Sequence, residues 1–336
     1  MEHKSLTIHD IAKALGISKS TVSRAFRDAH DISPATKEKI MDFAKANDFT
    51  PDQVASNFKR RRTKTIGVIV PAHNIPFYSI AISGIQDYAM QQEYHVMICH
   101  SNENYETEVE NLKTLLAARV DGIIISLARD NLQNSHIKKL KQKKIPFVLF
   151  NRVVEGLKAP KVVVNDYYGA YNMVDYLLTR GCKNIAHISG PSNILLSANR
   201  KMGYIDALKK RNKTVDPNML VEGDFTIESG IRGAEKLLKN PTRPDAIFCV
   251  CDAVAYGVMK VLGREGIQIP QEISVAGFTN EPMCEYVNPP LTTVGQPIYK
   301  IGLKAAKLLF QQMEHHDMAD EFCVFETELI IRESTI

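Results

Sequence analysis

From residue 66 onward, short β-branched runs alternate with longer amphipathic stretches. The runs are IGVIV (66–70), HVMIC (95–99), GIIIS (122–126), FVLF (147–150), KVVV (161–164), NIAHI (184–188), AIFCV (246–250) and ISVAGF (273–278). Continuous apolar runs of this kind suit strands buried on both faces, as in parallel sheets. The segments between them, 79–92, 106–118, 168–180, 199–211, 227–239, 253–265 and 298–313, carry helical periodicity. Strand–helix alternation predicts βαβ units. About eight or nine strands exceed the usual size of one sheet, so two α/β lobes are expected. No short internal period interrupts the pattern.

The chain has 336 residues, enough for two to three structural units. No apolar stretch approaches the roughly 20 residues that span a bilayer. The N-terminus, MEHKSLTIHD, lacks the apolar core of a secretion signal, so a cytoplasmic protein with no membrane partner is expected. Six cysteines in such a length are too sparse for a disulfide scaffold. Cys249 and Cys251 form a C-x-C inside a strand-like run with no further ligands nearby, and they read as small core residues. His315-His316-Asp317 ends the last helical stretch and reads as exposed. The Lys-rich 138–144 and Lys209-Lys210-Arg211 read as solvated helix surface.

The charge is uneven. Residues 1–64 hold 13 Lys/Arg against 8 Asp/Glu, whereas 65–336 hold 29 against 30. The excess lies in Lys59-Arg60-Arg61-Arg62-Thr63-Lys64, which suits either a polyanion footprint or a solvated linker.

The first 50 residues read as three short helices. Thr7 with Asp10 forms a near capping box ahead of Ile8, Ile11, Ala12 and Leu15. Gly16 stands where a helix end needs a left-handed residue. Ser18 caps a second helix, 19–26, with Val22 and Phe26 inward. Ser33-Pro34 opens a third, whose inward stripe is Ile40, Phe43 and Ala44. Ala12, Gly16 and Val22 have the small–Gly–apolar spacing of a helix-turn-helix. Lys19 and Ser20 then stand where side chains reach base edges, and Thr21, Ser23 and Arg24 where they suit phosphates. A plain three-helix packing domain is the other reading. Pro51 opens a short helix, 52 to about 59, with Val54, Ala55 and Phe58 on one side. A helix this short is marginal alone and orders when paired or docked on DNA. Phe58 could then enter a minor groove as an apolar wedge.

LTIHDIAKALGISKSTVSRAFRD, ISPATKEKI and PDQVASNFKRRRTKTIGVIVP together resemble the LacI/GalR family of bacterial transcription regulators. The likeness continues through GPSNILLSANRKMGYIDAL, PDAIFCVCDAVAYGVMKVL, ISVAGF, PPLTTVGQP and LIIRES, in the family's order. The resemblance implies an α/β protein with a three-helix helix-turn-helix headpiece (1–50) and a hinge helix with basic linker (51–64). These join a two-lobed, periplasmic-binding-protein-like sensor with parallel sheets. One lobe is 65–164 with 295–323, the other 165–294 with 324–336, and the chain crosses between them three times. It further implies a homodimer on a pseudo-palindromic operator, a repressor role with no catalytic, metal or cofactor chemistry, and a small-molecule effector between the lobes. Carried over by motif, Lys19 and Ser20 specify sequence. Thr7, Ser18, Thr21, Ser23, Arg24 and Asn57 complete the DNA-contacting set, with Phe58 where the family usually has Leu. The effector positions fall on His73, Phe77, Tyr78, Asn151, Arg152, Arg200, Phe225, Asp252, Thr279 and Gln296.

Several positions depart from the sugar-sensing pattern. Asn151, Cys251, and Thr279 with Asn280 stand where Asp, Asn and an Asp pair are common. Carboxylates suit neutral polyols by accepting hydroxyl donors. The effector expected is a small sugar-like metabolite, a sugar, sugar acid or sugar phosphate, and the loss of these carboxylates beside Arg152 and Arg200 shifts the expectation toward the anionic members. An enzyme on a Rossmann-like sheet is the competing function. It is disfavoured because the chain has no G-x-G, G-K-[ST], H-E-x-x-H or G-x-S-x-G, and because His187 lies in a strand. A free-standing solute-binding protein is disfavoured by the headpiece. No heptad follows the last predicted strand, so a dimer is expected rather than a tetramer.

Overall fold

The structure is a computed structural model describing residues 6–26, 29–47, 49, 62–72, 75–129, 134–315 and 321–336. It divides into two compact units, residues 1–63 and 64–336. The hinge helix expected at 52–59, with Asn57 and Phe58, lies outside the described residues, as does His73.

The first unit holds α1 (Ile8–Leu15), α2 (Lys19–Ala25) and α3 (Pro34–Ala46). Thr7 Oγ1 accepts the Asp10 N–H at 3.3 Å while Asp10 Oδ2 accepts the Thr7 N–H at 2.9 Å, a reciprocal capping box. Gly16 ends α1 at φ 66°, a left-handed turn that costs a residue with a Cβ more than glycine. Ser18 caps α2 through the Thr21 N–H at 3.0 Å, and Ser33 caps α3 ahead of Pro34. Ile11, Ala12, Val22, Ala25 and Ile40 form the core. Phe26 caps α2 rather than ending it, one residue earlier than expected.

The second unit contains two six-stranded sheets. In chain order its elements begin β1 (Thr65–Val70), α4 (Pro76–Gln91), β2 (His95–His100), α5 (Tyr105–Ala117), β3 (Gly122–Ile125), α6 (Ser135–Gln142), β4 (Phe147–Phe150) and β5 (Lys161–Val164). There follow α7 (Asp166–Thr179), β6 (Ile185–Ser189), α8 (Leu195–Lys210), β7 (Leu220–Glu222), α9 (Ile227–Leu238), β8 (Ala246–Cys249), α10 (Asp252–Arg264), β9 (Ser274–Thr279) and β10 (Thr292–Gly295). The chain ends in α11 (Ile298–Glu314), β11 (Phe322–Phe325) and β12 (Glu328–Ile330).

The sheets run β11-β5-β4-β3-β1-β2 and β12-β10-β9-β8-β6-β7. Every pairing is parallel except β10 with β12. The chain passes between the sheets three times: after β5, after β10 and after β11. At the first and third passages the two strands are tied together, since the Asn165 N–H donates to the Phe325 carbonyl at 2.8 Å. α11 returns to the first sheet and packs against α4 so closely that a Cβ on Gly302 would overlap the Ala81 carbonyl. In both sheets the strand order reverses beside the first strand. The carboxyl ends flanking such a reversal form a crevice, where α/β sheets bind ligands.

The eight strand runs read from the sequence appear within about a residue of their expected bounds. β7, β10, β11 and β12 were not anticipated. β7 and β12 span three residues each, and β11 alternates exposed with half-buried residues instead of forming an apolar run. One expectation is corrected. HVMIC is not buried on both faces, because β2 is an edge strand and leaves Met97 and Ile98 about 40 % exposed.

Candidate functional site

A cavity of about 460 Å³ opens where the carboxyl ends of the two sheets meet. From the first lobe it is lined by the residues that follow β1 and β4, among them Phe77, Tyr78, Asn151 and Arg152. From the second lobe come Leu196, Arg200, Phe225, Cys251, Tyr256, Thr279 and Glu281, and Gln296 lies on the second passage between lobes. Eight of the ten expected effector residues therefore line one cavity. His73 lies outside the described residues.

Asp252 stands behind the wall rather than on it. It is fully buried, its Oδ1 accepts the Thr293 hydroxyl at 2.5 Å, and its Oδ2 accepts the Glu281 N–H at 2.8 Å. Burial pushes its carboxyl up, and the Thr293 and Glu281 donors pull it back. With both oxygens engaged, Asp252 holds the turn at Thr279–Glu281 in place. That turn is under strain: Thr279 has φ 135° and Asn280 φ 61°. Positive φ is costly for a β-branched residue, and such strain persists only where the surroundings enforce it. Asn151, on the opposite side, is also left-handed at φ 56°.

Of the three arginines that line the cavity, Arg129, Arg152 and Arg200, neither of the two expected to meet the effector is available for a ligand carboxylate in the way expected. Arg152 Nη1 donates to Glu103 Oε2 at 2.6 Å, and its guanidinium lies over the Phe225 ring at 4.7 Å. Arg200 is 3 % exposed; it donates to Asp166 Oδ1 through Nε at 2.8 Å and to the Val250 carbonyl through Nη1 at 2.6 Å. Its plane covers the Phe278 ring at 3.6 Å. The leaning toward an anionic effector drew on the missing carboxylates together with Arg152 and Arg200, and both guanidiniums are matched inside the protein. The lining carries four carboxyls, Glu103, Asp224, Glu228 and Glu281, against three guanidiniums.

The aromatic residues are constrained as well. Phe77 is 5 % exposed and meets Tyr78 edge-on at 5.3 Å. Tyr78 shares a hydrogen bond with Ser126 Oγ at 3.2 Å and accepts one from Asn151 Nδ2 at 3.2 Å. One face of Phe225 is taken by Arg152, so stacking on a ligand is limited to what its remaining edge allows. Cys251 lines the cavity with its thiol pushed up to about 12 by burial, which removes it as a nucleophile. His187 lies in the core between Phe248 (4.9 Å) and Tyr204 (5.2 Å), and its Nδ1–H donates to the Phe248 carbonyl at 2.9 Å. Burial lowers its pKa to about 4.

Sequence reading missed Glu281, Tyr256, Leu196 and Glu103. Glu281 follows Thr279 and Asn280 in GFTNE, so a carboxyl in the loop after a strand was visible there. Glu103 carried no local signal, since its partner Arg152 lies 49 residues away.

In the first unit Lys19 and Ser20 are exposed at the start of α2 and Arg24 is exposed in its last turn, while Thr21 and Ser23 are half-buried. Ser18 Oγ is within 2.7 Å of Ser20 Oγ and 2.8 Å of Thr21 Oγ1, so these hydroxyls are tied into the cap. Arg24 pairs with Asp31 at the surface. Thr7 is exposed and engaged in its own cap. At the end of the basic run, Lys64 sits over the Tyr94 ring at 4.7 Å and donates to the Gln92 carbonyl at 3.3 Å, within the second unit.

Residues 63–324 match the family described as periplasmic binding proteins and sugar binding domain of LacI family, and residues 7–52 that of bacterial regulatory proteins, lacI family. The HTH-type transcriptional repressor CytR of Escherichia coli K12 is 33% identical over 337 residues, covering 99% of this chain and 97% of the relative. Catabolite control protein A of Priestia megaterium is 32% identical over 332 residues, covering 98% and 99%. Among solved structures, the lac repressor dimer bound to operator and the anti-inducer ONPF superposes with a TM-score of 0.90. That match covers 99% of this chain and 100% of the repressor at 24% identity, and shows the shared fold.

Proposed function

This chain belongs to the LacI family of bacterial regulatory proteins and is a ligand-responsive DNA-binding transcription regulator, and from that premise we propose that its effector is a neutral, hydroxyl-rich metabolite of monosaccharide to nucleoside size. The effector occupies the cavity between the lobes, against Tyr78, Asn151, Phe225, Thr279 and Gln296. The observation that carries this reading is the pairing of Arg152 with Glu103 and of Arg200 with Asp166. A ligand anion would have to compete with an internal carboxylate for Arg152 or Arg200, in a lining that carries four carboxyls against three guanidiniums, the third being Arg129. A cavity near 460 Å³ falls in the usual range for small-ligand sites.

The cleft binds rather than transforms its ligand: Cys251 is not ionised near neutral pH, and His187 is sealed in the core. Closure of the lobes on the effector is the event that changes DNA affinity, because a ligand shifts an equilibrium only through differential affinity for its states. Lys19 and Ser20 read operator bases, and Thr21, Ser23 and Arg24 meet phosphates. Arg24 then exchanges its surface pair with Asp31 for DNA, a small cost for an exposed ion pair. The exposed apolar residues of edge strand β2 suit a homodimer contact.

Calorimetry of the full-length protein tests the effector class. The panel is D-ribose, D-glucose, adenosine and cytidine against gluconate, ribose 5-phosphate and glucose 6-phosphate. Binding by a neutral member is expected. Binding by the acids or phosphates alone overturns the reading.

A further inference from the structure

Two acceptors in the cavity wall have no donor. The Glu281 side chain lines the cavity, is 7 % exposed, and takes no hydrogen bond or ion pair among the described residues. Oε1 of Gln296 is buried and also unmatched. Both acceptors are held by one piece of backbone. The Gln296 N–H donates to the Thr279 carbonyl at 3.3 Å, and Gln296 Nε2 donates to Thr279 Oγ1 at 3.2 Å. The Glu281 N–H is fixed on Asp252 at 2.8 Å. Asn280, between them, is held by Arg332 Nη2 at 2.9 Å. A buried acceptor without a donor costs stability, as does the backbone strain at Thr279.

We propose that Glu281 acts as an acceptor for a hydroxyl or amino donor of the effector, beside the Gln296 position that the family resemblance already places there, and sets specificity for a ligand that carries such a donor. This rests on the neutral-effector reading above and names the wall that does the reading. A carboxylate accepts from two donors at once, whereas the neighbouring amide oxygen accepts without charge. Charge-assisted bonds to hydroxyls are the stronger kind, so Glu281 discriminates more than Gln296.

A consequence follows for protons. Burial and the nearby Asp252 push the Glu281 carboxyl up to about 7. The other titratable groups that feel its charge are Cys251 and Tyr256 on the α10 side. Burial raises both away from neutrality, as it does Cys284 on the following turn. Asp252 is committed to Thr293 and to the Glu281 N–H. Of the guanidiniums, Arg200 is paired with Asp166 and Arg332 with Glu285, and Arg152 across the cleft is paired with Glu103. Glu281 is thus the group that titrates near pH 7. Donors from a ligand favour its ionised form, so binding expels a proton and affinity rises with pH through 7.

The test is calorimetry of the full-length wild type, Glu281→Gln and Glu281→Ala against D-ribose, D-glucose, adenosine and cytidine. It is run at pH 6, 7 and 8 in two buffers of different ionisation enthalpy. The wild type should release about half a proton per ligand near pH 7. E281Q should retain weaker binding and lose both proton release and pH slope. E281A should bind about 10- to 150-fold more weakly, the range of a lost hydrogen bond to a charged group. A neutral ligand that binds wild type and E281A equally, with no proton release, overturns this inference and leaves the effector class standing. A panel in which no neutral member binds overturns both.

Discussion

Arg152 and Arg200 reach the same cavity from opposite lobes, and their surroundings assign them different work. Arg200 closes a network wholly within the second lobe: Asp166 at the start of α7, the Val250 carbonyl after β8, and the Phe278 ring in β9. Its partner carboxylate is 6 % exposed. Arg152 is anchored to Glu103 in its own lobe, but its guanidinium lies across the cleft on Phe225 of the second. Glu103 is 24 % exposed. Nearby, Asn193 Nδ2 donates to the Arg129 carbonyl at 2.9 Å, a second link between lobes. The contrast teaches that two like charges in one cleft need not serve one ligand. One builds a lobe, and the other helps hold two lobes together.

The largest expected effect breaks the Arg200 network. Arg200→Ala leaves Asp166 buried and unpaired, which should cost about 3–5 kcal/mol. For a unit of this size that lowers Tm by on the order of 10 °C. A melting point within about 2 °C of wild type would show that Arg200 is not the second lobe's anchor.

The next concerns the second lobe's buried imidazole, which has no acidic partner. His187 titrates near 4 in the folded protein against 6.5 as the ordinary value. The unfolded chain therefore takes up the proton first as pH falls. The stability from neutral His187 is complete above pH 6.5 and declines through the window down to 4, by about 3 kcal/mol in all. Urea unfolding from pH 7 to 4 should show this slope in wild type and a shallower one in His187→Phe. Identical slopes would place the acid sensitivity elsewhere.

The smallest effect is on the shared contact. Arg152→Ala should cost about 1–2 kcal/mol: Arg152 is itself buried, but the Glu103 it leaves is 24 % exposed and can be rehydrated, so the loss is that of a hydrogen bond to a charged group with a cation–π contact. Its effect should also appear in lobe closure, as a longer interlobe distance by pulsed electron resonance in the effector-free protein. A loss of stability as large as that of Arg200→Ala would erase the distinction between them.

Much of this organisation was legible in the amino-acid order. Apolar strands announced themselves, as did the caps at Thr7, Ser18 and Ser33, because both signals are local. The short edge strands β7, β11 and β12 did not, since half their side chains face water and no apolar run marks them. The cavity wall was legible as positions but not as chemistry. Asp252 looked like a ligand-facing carboxylate, and only the fold shows Thr293 and the Glu281 N–H already on it. The arginines looked available because Glu103 and Asp166 lie 49 and 34 residues away in the chain. Glu281 was overlooked for the converse reason: its lack of any partner is a property of packing, which no residue spacing records.

The central claim is that a neutral ligand in the cleft alters DNA affinity through these lobes. Fluorescence anisotropy of the full-length protein on its preferred genomic duplex, at fixed salt, measures it directly. With saturating D-ribose, D-glucose, adenosine or cytidine, at least one should change Kd by roughly 5- to 150-fold, the usual span of allosteric coupling. Gluconate and the sugar phosphates should leave it unchanged. A shift produced only by the anionic ligands would contradict the account.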